Sequence, residues 1–253
     1  MRNATAWLHY YRSNNLHLLD VPWDDTQALS LAERRAIAKS IAEFQRGESS
    51  EGRQLYKRAA AYAQAHADQD FLAATALFIK EEQRHARDLG RFMEMAGMAR
   101  LRAAWPDRVF RGLRHFGGID VSTTVLVTAE IIARAYYPAL QRATTHPVLK
   151  AICNQIIADE QAHVQFQCER IAAFRQQRHY LSKLLAEQLH AVLFLGTVLV
   201  VWRQHGRVFR AAGMSFGAYW NEVWRYFEEA MQVVRTHTAL SRFEPRWAQR
   251  QLQ

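Results

Sequence analysis

From Ser30 to about His66 the apolar residues Leu31, Ile37, Ile41, Phe44, Leu55, Tyr56 and Tyr62 recur at helical spacing. The pattern thins between Gly47 and Gly52, which predicts a local break. A second helix is predicted from Asp70 to Met95, stopped by Gly97; a basic connection containing Trp, Pro and Gly follows and ends at Gly117-Gly118. That connection is long for a tight hairpin. A third helix starts near Asp120, with Ser122 and Thr123 as further caps, and reaches about Thr144, with Pro138 as a kink candidate. A fourth begins near His146-Pro147 and runs to about Arg178. Two more are expected, Leu181 to Ala212 and Ser215 to Leu240, separated by Gly213. No segment alternates with the period of a strand. The chain thus reads as one all-α domain, residues 1–253: a four-helix bundle over 30–178, with a long crossover between its second and third helices, and two additional C-terminal helices over 181–240.

Eleven glycines and five prolines in 253 residues agree with long helices. Cys153 and Cys168 lie fifteen residues apart on one predicted helix, about 22 Å along its axis, so they cannot pair. Neither belongs to a C-x-x-C pair, which removes a structural zinc or rubredoxin-like centre and suits a reducing, cytoplasmic setting. The first eleven residues show no signal-peptide core. The longest uncharged apolar run, Ala191 to Trp202, is twelve residues, below the ~20 of a spanning helix; a buried core helix, and no transmembrane segment, is expected. Net charge is +9, mostly arginine, densest at Arg100, Arg102, Arg108, Arg111, Arg114 and His115. Such a cluster suits a phosphate, an acidic carrier protein or a membrane surface. Beyond this charge nothing points to nucleic acid, since no RNA-binding motif is visible.

Two segments, Glu82-Gln-Arg-His85 and Glu160-Gln-Ala-His163, place a carboxylate and an imidazole one helical turn apart on one face, where the two can grip one metal ion. The spacing alone is weak evidence, because Glu187-Gln-Leu-His190 matches it as well. The first two differ from the third in having an upstream acid: Glu51 precedes Glu82 by 31 residues and Glu130 precedes Glu160 by 30. With helix reversals near His66 to Asp68 and near Thr145, each member of a pair stands about 22 Å from its turn, so all four carboxylates reach one height in the bundle. Glu130 is the most telling, because Val125 to Ala133 carries no other charge, and an uncompensated buried carboxylate costs several kcal/mol, of order 3 to 5. Glu48, three residues before Glu51, is the alternative for the first position. Four carboxylates and two imidazoles make a hard O/N donor set suited to iron and manganese.

The pattern Glu51, Glu82-x-x-His85, Glu130, Glu160-x-x-His163 resembles the ligand set of the ferritin-like superfamily. Within it, Glu81-Glu82-Gln-Arg84-His85 and Asp159-Glu160-Gln-Ala-His163 are similar to motifs of bacterial multicomponent monooxygenases and of the ribonucleotide reductase small subunit. The resemblance implies two iron ions, or iron and manganese, with Glu81 and Asp159 supporting the histidines and Arg84 tying them together. It also implies an O2-activating oxidase or oxygenase that uses dioxygen and a reductant on a small-molecule substrate, with a protein electron donor as a candidate partner. Ala162 departs from the motif, which would place Arg there. A ferroxidase or iron store uses the same ligands. The apolar C-terminal helices favour the oxygenase, as a roof over a hydrophobic cavity; as a dimer face they fit a homodimer. Tyr56, Tyr136 and Tyr137 are candidate electron relays beside the ligands.

Overall fold

The computed structural model describes residues 2–49, 52–101, 112 and 117–236. Among these it contains eight helices: α1 (Ala4–Leu16), α2 (Leu31–Glu48), α3 (Arg53–His66), α4 (Gln69–Met95), α5 (Ile119–Arg142), α6 (Pro147–Arg175), α7 (Tyr180–Ala211) and α8 (Phe216–Thr236). No strand occurs among the described residues. The crossover's basic cluster lies outside them except for Arg100, which pairs with Glu94 at 2.8 Å. Residues beyond Thr236, where the last helix was expected to run on to Leu240, lie outside them too.

The bundle is the expected one. Helices α2 and α3 together form its first rod, followed by α4, α5 and α6, in the ferritin-like order. The break near residue 50 has a local cause at Gly52, whose φ of 135° is open to glycine, and where a Cβ would stand 3.1 Å from Ile79 Cγ2. Helix α2 starts with a capping box, in which Ser30 accepts from the Glu33 amide and Glu33 accepts from the Ser30 amide. Glu33 also accepts from the Thr145 amide at 2.7 Å, tying this start to the α5–α6 turn. The α3–α4 reversal is made by Ala67 in the left-handed region, φ 52°, followed by Asp68, which caps α4 by accepting from Phe71 N. Pro138 lies inside α5 without ending it.

Two elements differ from expectation. Helix α1 was not foreseen; it packs on α4 and buries Trp7, Tyr11 and Asn14. Helix α7 was expected to be a buried core helix. It is instead a 32-residue helix with an 18-residue stretch of mean hydropathy 1.9, only 22% buried, so by length and composition it is long enough to cross a membrane. Phe194 and Val198 pack inward, while Val192 and Leu199 remain 68% and 48% exposed: the sequence is apolar on both faces and the bundle uses one.

The core is divided in two. One apolar group gathers Trp7, Tyr11, Phe71, Phe78 and Phe166; the other gathers Ile37, Leu89, Phe92, Tyr136, Ile152 and Phe227. Between them, on α4, lie residues 81 to 85, all buried except Gln83. A polar layer therefore crosses the middle of the bundle, closed by apolar packing above and below.

Candidate metal centre

This layer is built from four helices. Glu82 and His85 project from α4, Glu160 and His163 from α6, Glu130 from α5 and Glu48 from the last turn of α2. Exposure is 8% or less for all six. Glu82, Glu130, Glu160 and His163 each offer a ligand atom within 4.8 Å of the others, and so do Glu48, Glu82 and His85. Glu82 belongs to both groups, and His85 Nδ1 also stands 3.9 Å from Glu160. The two groups therefore adjoin, with Glu82 and Glu160 facing both histidines, the arrangement that lets carboxylates bridge two ions.

The histidines are held from behind in a crossed pattern. His85 on α4 meets Asp159 on α6 through Nε2 at 3.0 Å, and His163 on α6 meets Glu81 on α4 through Nε2 at 2.9 Å. In a neutral imidazole, an Nε2–H donated to a carboxylate leaves the Nδ1 lone pair free for a metal, and both Nδ1 atoms point into the layer. Arg84 donates to Asp159 at 2.5 Å and Gln155 donates to the same carboxylate at 2.9 and 3.0 Å. Asn14, from the unforeseen α1, donates to both Glu81 (2.8 Å) and Asp159 (2.9 Å). It joins the two supporting carboxylates. The sequence did hold a signal for α1, because Trp7, Tyr10, Tyr11 and Asn14 follow helical spacing; neither an acid nor a histidine drew attention to it.

The remaining carboxylates each have one hydrogen-bonding neighbour outside the cluster. Gln167 donates to Glu130 Oε1 at 2.8 Å, and the Tyr137 hydroxyl donates to Glu48 Oε1. Glu51, the residue expected in the first position, lies outside the described residues, whereas its alternative Glu48 stands within the cluster. Of the candidate relay tyrosines, Tyr137 touches a cluster residue, Tyr136 bonds to Ser40 Oγ at 2.8 Å, and Tyr56 is 45% exposed on α3. Tyr11 also approaches, its ring 6.3 Å from that of His163.

The inner atoms lack partners. Glu82 Oε1, both Glu160 oxygens and the Nδ1 atoms of His85 and His163 are buried without a hydrogen bond; His163 Nδ1 comes within 3.0 Å of Glu82 Oε1 without the alignment of one. Buried polar groups in folded proteins are nearly always satisfied. Burial pushes the Glu82 and Glu160 carboxyls well above the usual range, and the charge of Glu130 pushes both further. Burial opposes the charge on His163, but its bond to Glu81 and the charges of Glu160 and Glu130 prevail, raising it to about 9. Asp159 is also opposed by burial, yet His85 and Arg84 hold it well below the ordinary carboxylate range. The outer carboxylates are compensated by protein groups and the inner ones are not. An inward-facing, hard O/N donor set with unsatisfied lone pairs fits divalent iron or manganese.

The third Glu-x-x-His stands elsewhere. Glu187 pairs with Arg235 at 2.9 Å, and His190 is buried against Thr128 Oγ1 (3.0 Å) and the ring of Phe227.

No family model matches the chain, and no curated protein is similar to it. Its fold is similar to that of solved structures of an R2-like ligand-binding oxidase, two single-residue mutants with an aerobically reconstituted Mn/Fe cofactor. Each aligns with a TM-score of 0.64 over 91% of this chain and 93% of the other, at 14% identity. The all-α, ferritin-like architecture expected from the helix order is thus that of R2-like proteins.

Proposed function

We propose that Glu48, Glu82, His85, Glu130, Glu160 and His163 hold two metal ions, either two irons or manganese and iron, and that the protein is an O2-activating oxidase or oxygenase. The observation that carries this reading is the set of unpartnered inward donors between two apolar plugs. The likeness to an oxidase with a Mn/Fe cofactor supports the choice of metals. Such a pair, when bound and reduced, supplies electrons to dioxygen and a Lewis-acidic centre. The chain's own residues do the rest. Asp159 and Glu81 hold the imidazole rings through Nε2, Asn14 and Arg84 hold those carboxylates, and the aromatic packing of Tyr11, Phe78 and Phe166 excludes water on one side. Tyr137, bonded to Glu48, is the phenol placed to pass a proton or an electron to the centre.

An iron-handling role uses the same ligands, and stoichiometry separates the two. Ferrous iron added anaerobically in large excess, then exposed to air, should leave about two irons per chain in an oxidase. A mineral core of many irons per chain would show a store instead. Oxygen uptake that continues with a chemical reductant after the first turnover is the second expected result.

A further inference from the structure

Outside the metal layer, the C-terminal half of α7 and the first half of α2 enclose a surface cavity of about 440 Å³. Five cations line it: Arg35 and Lys39 from α2, and Arg203, Arg207 and Arg210 from α7. All five are exposed. Lys39 stands 3.8 Å from Glu43; among the described residues no carboxylate lies within ion-pair distance of the four arginines. Its floor is polar: Ser40 Oγ is bonded to His205 Nδ1 at 2.8 Å, and the other nitrogen of that ring stands 3.5 Å from Glu43. Several unneutralised guanidiniums converging on one cavity form a phosphate site, because each planar fork can present two N–H groups to phosphate oxygens.

The same arginines continue a second feature. Leu181, Leu185, Leu189, Val192, Leu195 and Leu199 are 75%, 61%, 62%, 68%, 38% and 48% exposed and follow steps of four, four, three, three and four, so they share one face of α7. The next steps along that face are Arg203, Arg207 and Arg210. An apolar stripe about 27 Å long thus runs directly into the cationic cavity. Exposed apolar surface of this extent marks a partner.

We propose that this face docks on an anionic phospholipid bilayer, the stripe entering the interface and the arginine cavity taking a headgroup phosphate. Charge selects this occupant over a second copy of the chain. A twofold pair of α7 helices running antiparallel would set Arg203 and Arg207 against the apolar start of the stripe, Leu181 and Leu185, with no carboxylate to meet them, and a parallel pair would bring them onto themselves; neither arrangement compensates the guanidiniums. The helix lies on the bilayer and does not cross it. Its opposite face, with Phe194, Val198 and His205, is buried against the bundle, and crossing would draw charged residues of α8 such as Arg225 and Glu228 into hydrocarbon. The proposal does not depend on the metal centre.

The test is co-sedimentation of the full chain with vesicles of phosphatidylcholine alone or mixed with phosphatidylglycerol, together with light scattering of the lipid-free protein. Binding should be at least tenfold tighter to the anionic vesicles and should weaken with salt, as each arginine near such a surface contributes roughly fivefold. R203E/R207E and L185E/L189E should each lose at least tenfold while keeping the parent's metal content and melting temperature. If either charged pair fails to fold, R203Q/R207Q and L189Q carry the same test. Equal binding to both vesicle types, or binding that all these variants retain, would overturn the proposal. So would a dimer split by L189Q, which would make the stripe a subunit interface. A melting-temperature rise with inorganic phosphate, lost in R203Q/R207Q and unaccompanied by vesicle binding, would also overturn it, in favour of a soluble phosphate ligand.

Discussion

Replacing Glu130 with Gln keeps the side chain's volume and an oxygen to accept from Gln167, but removes a negative charge that is 4% exposed. That charge is the largest electrostatic contribution pushing up Glu82 and Glu160, after burial itself. Like charges about 4 Å apart repel by about 4 kcal/mol at an effective dielectric constant of 20. The protein without metal avoids most of this by protonating. A carboxyl kept neutral at pH 7 that ionises at 4.5 in the unfolded chain would cost at most about 3 kcal/mol, which bounds the burden a raised carboxyl can carry. Glu130→Gln should relieve part of it, about 1–3 kcal/mol, and raise the apo melting temperature by about 2–6 °C. Because folded values raised above the unfolded value harm stability only as pH climbs past the unfolded one, this advantage should be present at pH 7 and shrink toward pH 4.5. With metal the sign reverses: a lost ligand weakens affinity, so the rise in melting temperature on adding ferrous iron anaerobically should be smaller than in the parent. Melts of both proteins at both pH values, with and without iron, decide the matter. An apo variant that melts lower than the parent and gains as much from iron would make Glu130 a structural acid.

Four further outcomes follow from the same geometry. Asn14→Ala leaves Glu81 and Asp159 each short of a donor, and should lower unfolding free energy by about 2–4 kcal/mol in urea titrations and reduce metal retention during dialysis. Gly52→Ala forces a side chain into a positive φ and against Ile79, and should destabilise by about 1–3 kcal/mol in the same titrations. His190 is held down to about 3 by burial, then by Arg175, from a usual 6.5. The unfolded chain therefore takes up a proton the folded one refuses, and stability should fall as pH drops from 6.5 toward 3; His190→Gln should flatten the slope by up to one proton's worth in pH-dependent unfolding. Glu187→Ala should leave metal content unchanged by mass spectrometry and change stability by less than about 1 kcal/mol, since only the pair with Arg235 is lost.

Much of the bundle was legible because its signals are local. The spacing of Ile37, Ile41 and Phe44 after Ser30 and the turn near Asp68 locate helices without reference to a tertiary partner. The interval from an upstream acid to Glu-x-x-His singled out Glu130 with Glu160, which meet in the cluster; for the first pair it favoured Glu51, which lies outside the described residues, while Glu48 stands in the cluster. The first ligand was harder, since Glu48 and Glu51 are three residues apart in sequence, beside a helix break at Gly52 that no apolar spacing locates to the residue. Asn14 stayed hidden for a different reason: a neutral amide acquires its role only from the two carboxylates it meets, 67 and 145 residues away. Helix α7 was misjudged because a run of apolar residues has the same composition whether it is covered by protein or faces outward; Leu189 and Phe194 differ only in what lies opposite them.

The proposed dinuclear site takes its first carboxylate from Glu48. Anomalous diffraction at the iron and manganese edges, on crystals grown from protein made with both metals supplied, tests it most directly. Two ions should be found in the polar layer, held by Glu48, Glu82, His85, Glu130, Glu160 and His163. A single ion, no ion, or an ion held by Glu51 with Glu48 turned away would contradict it.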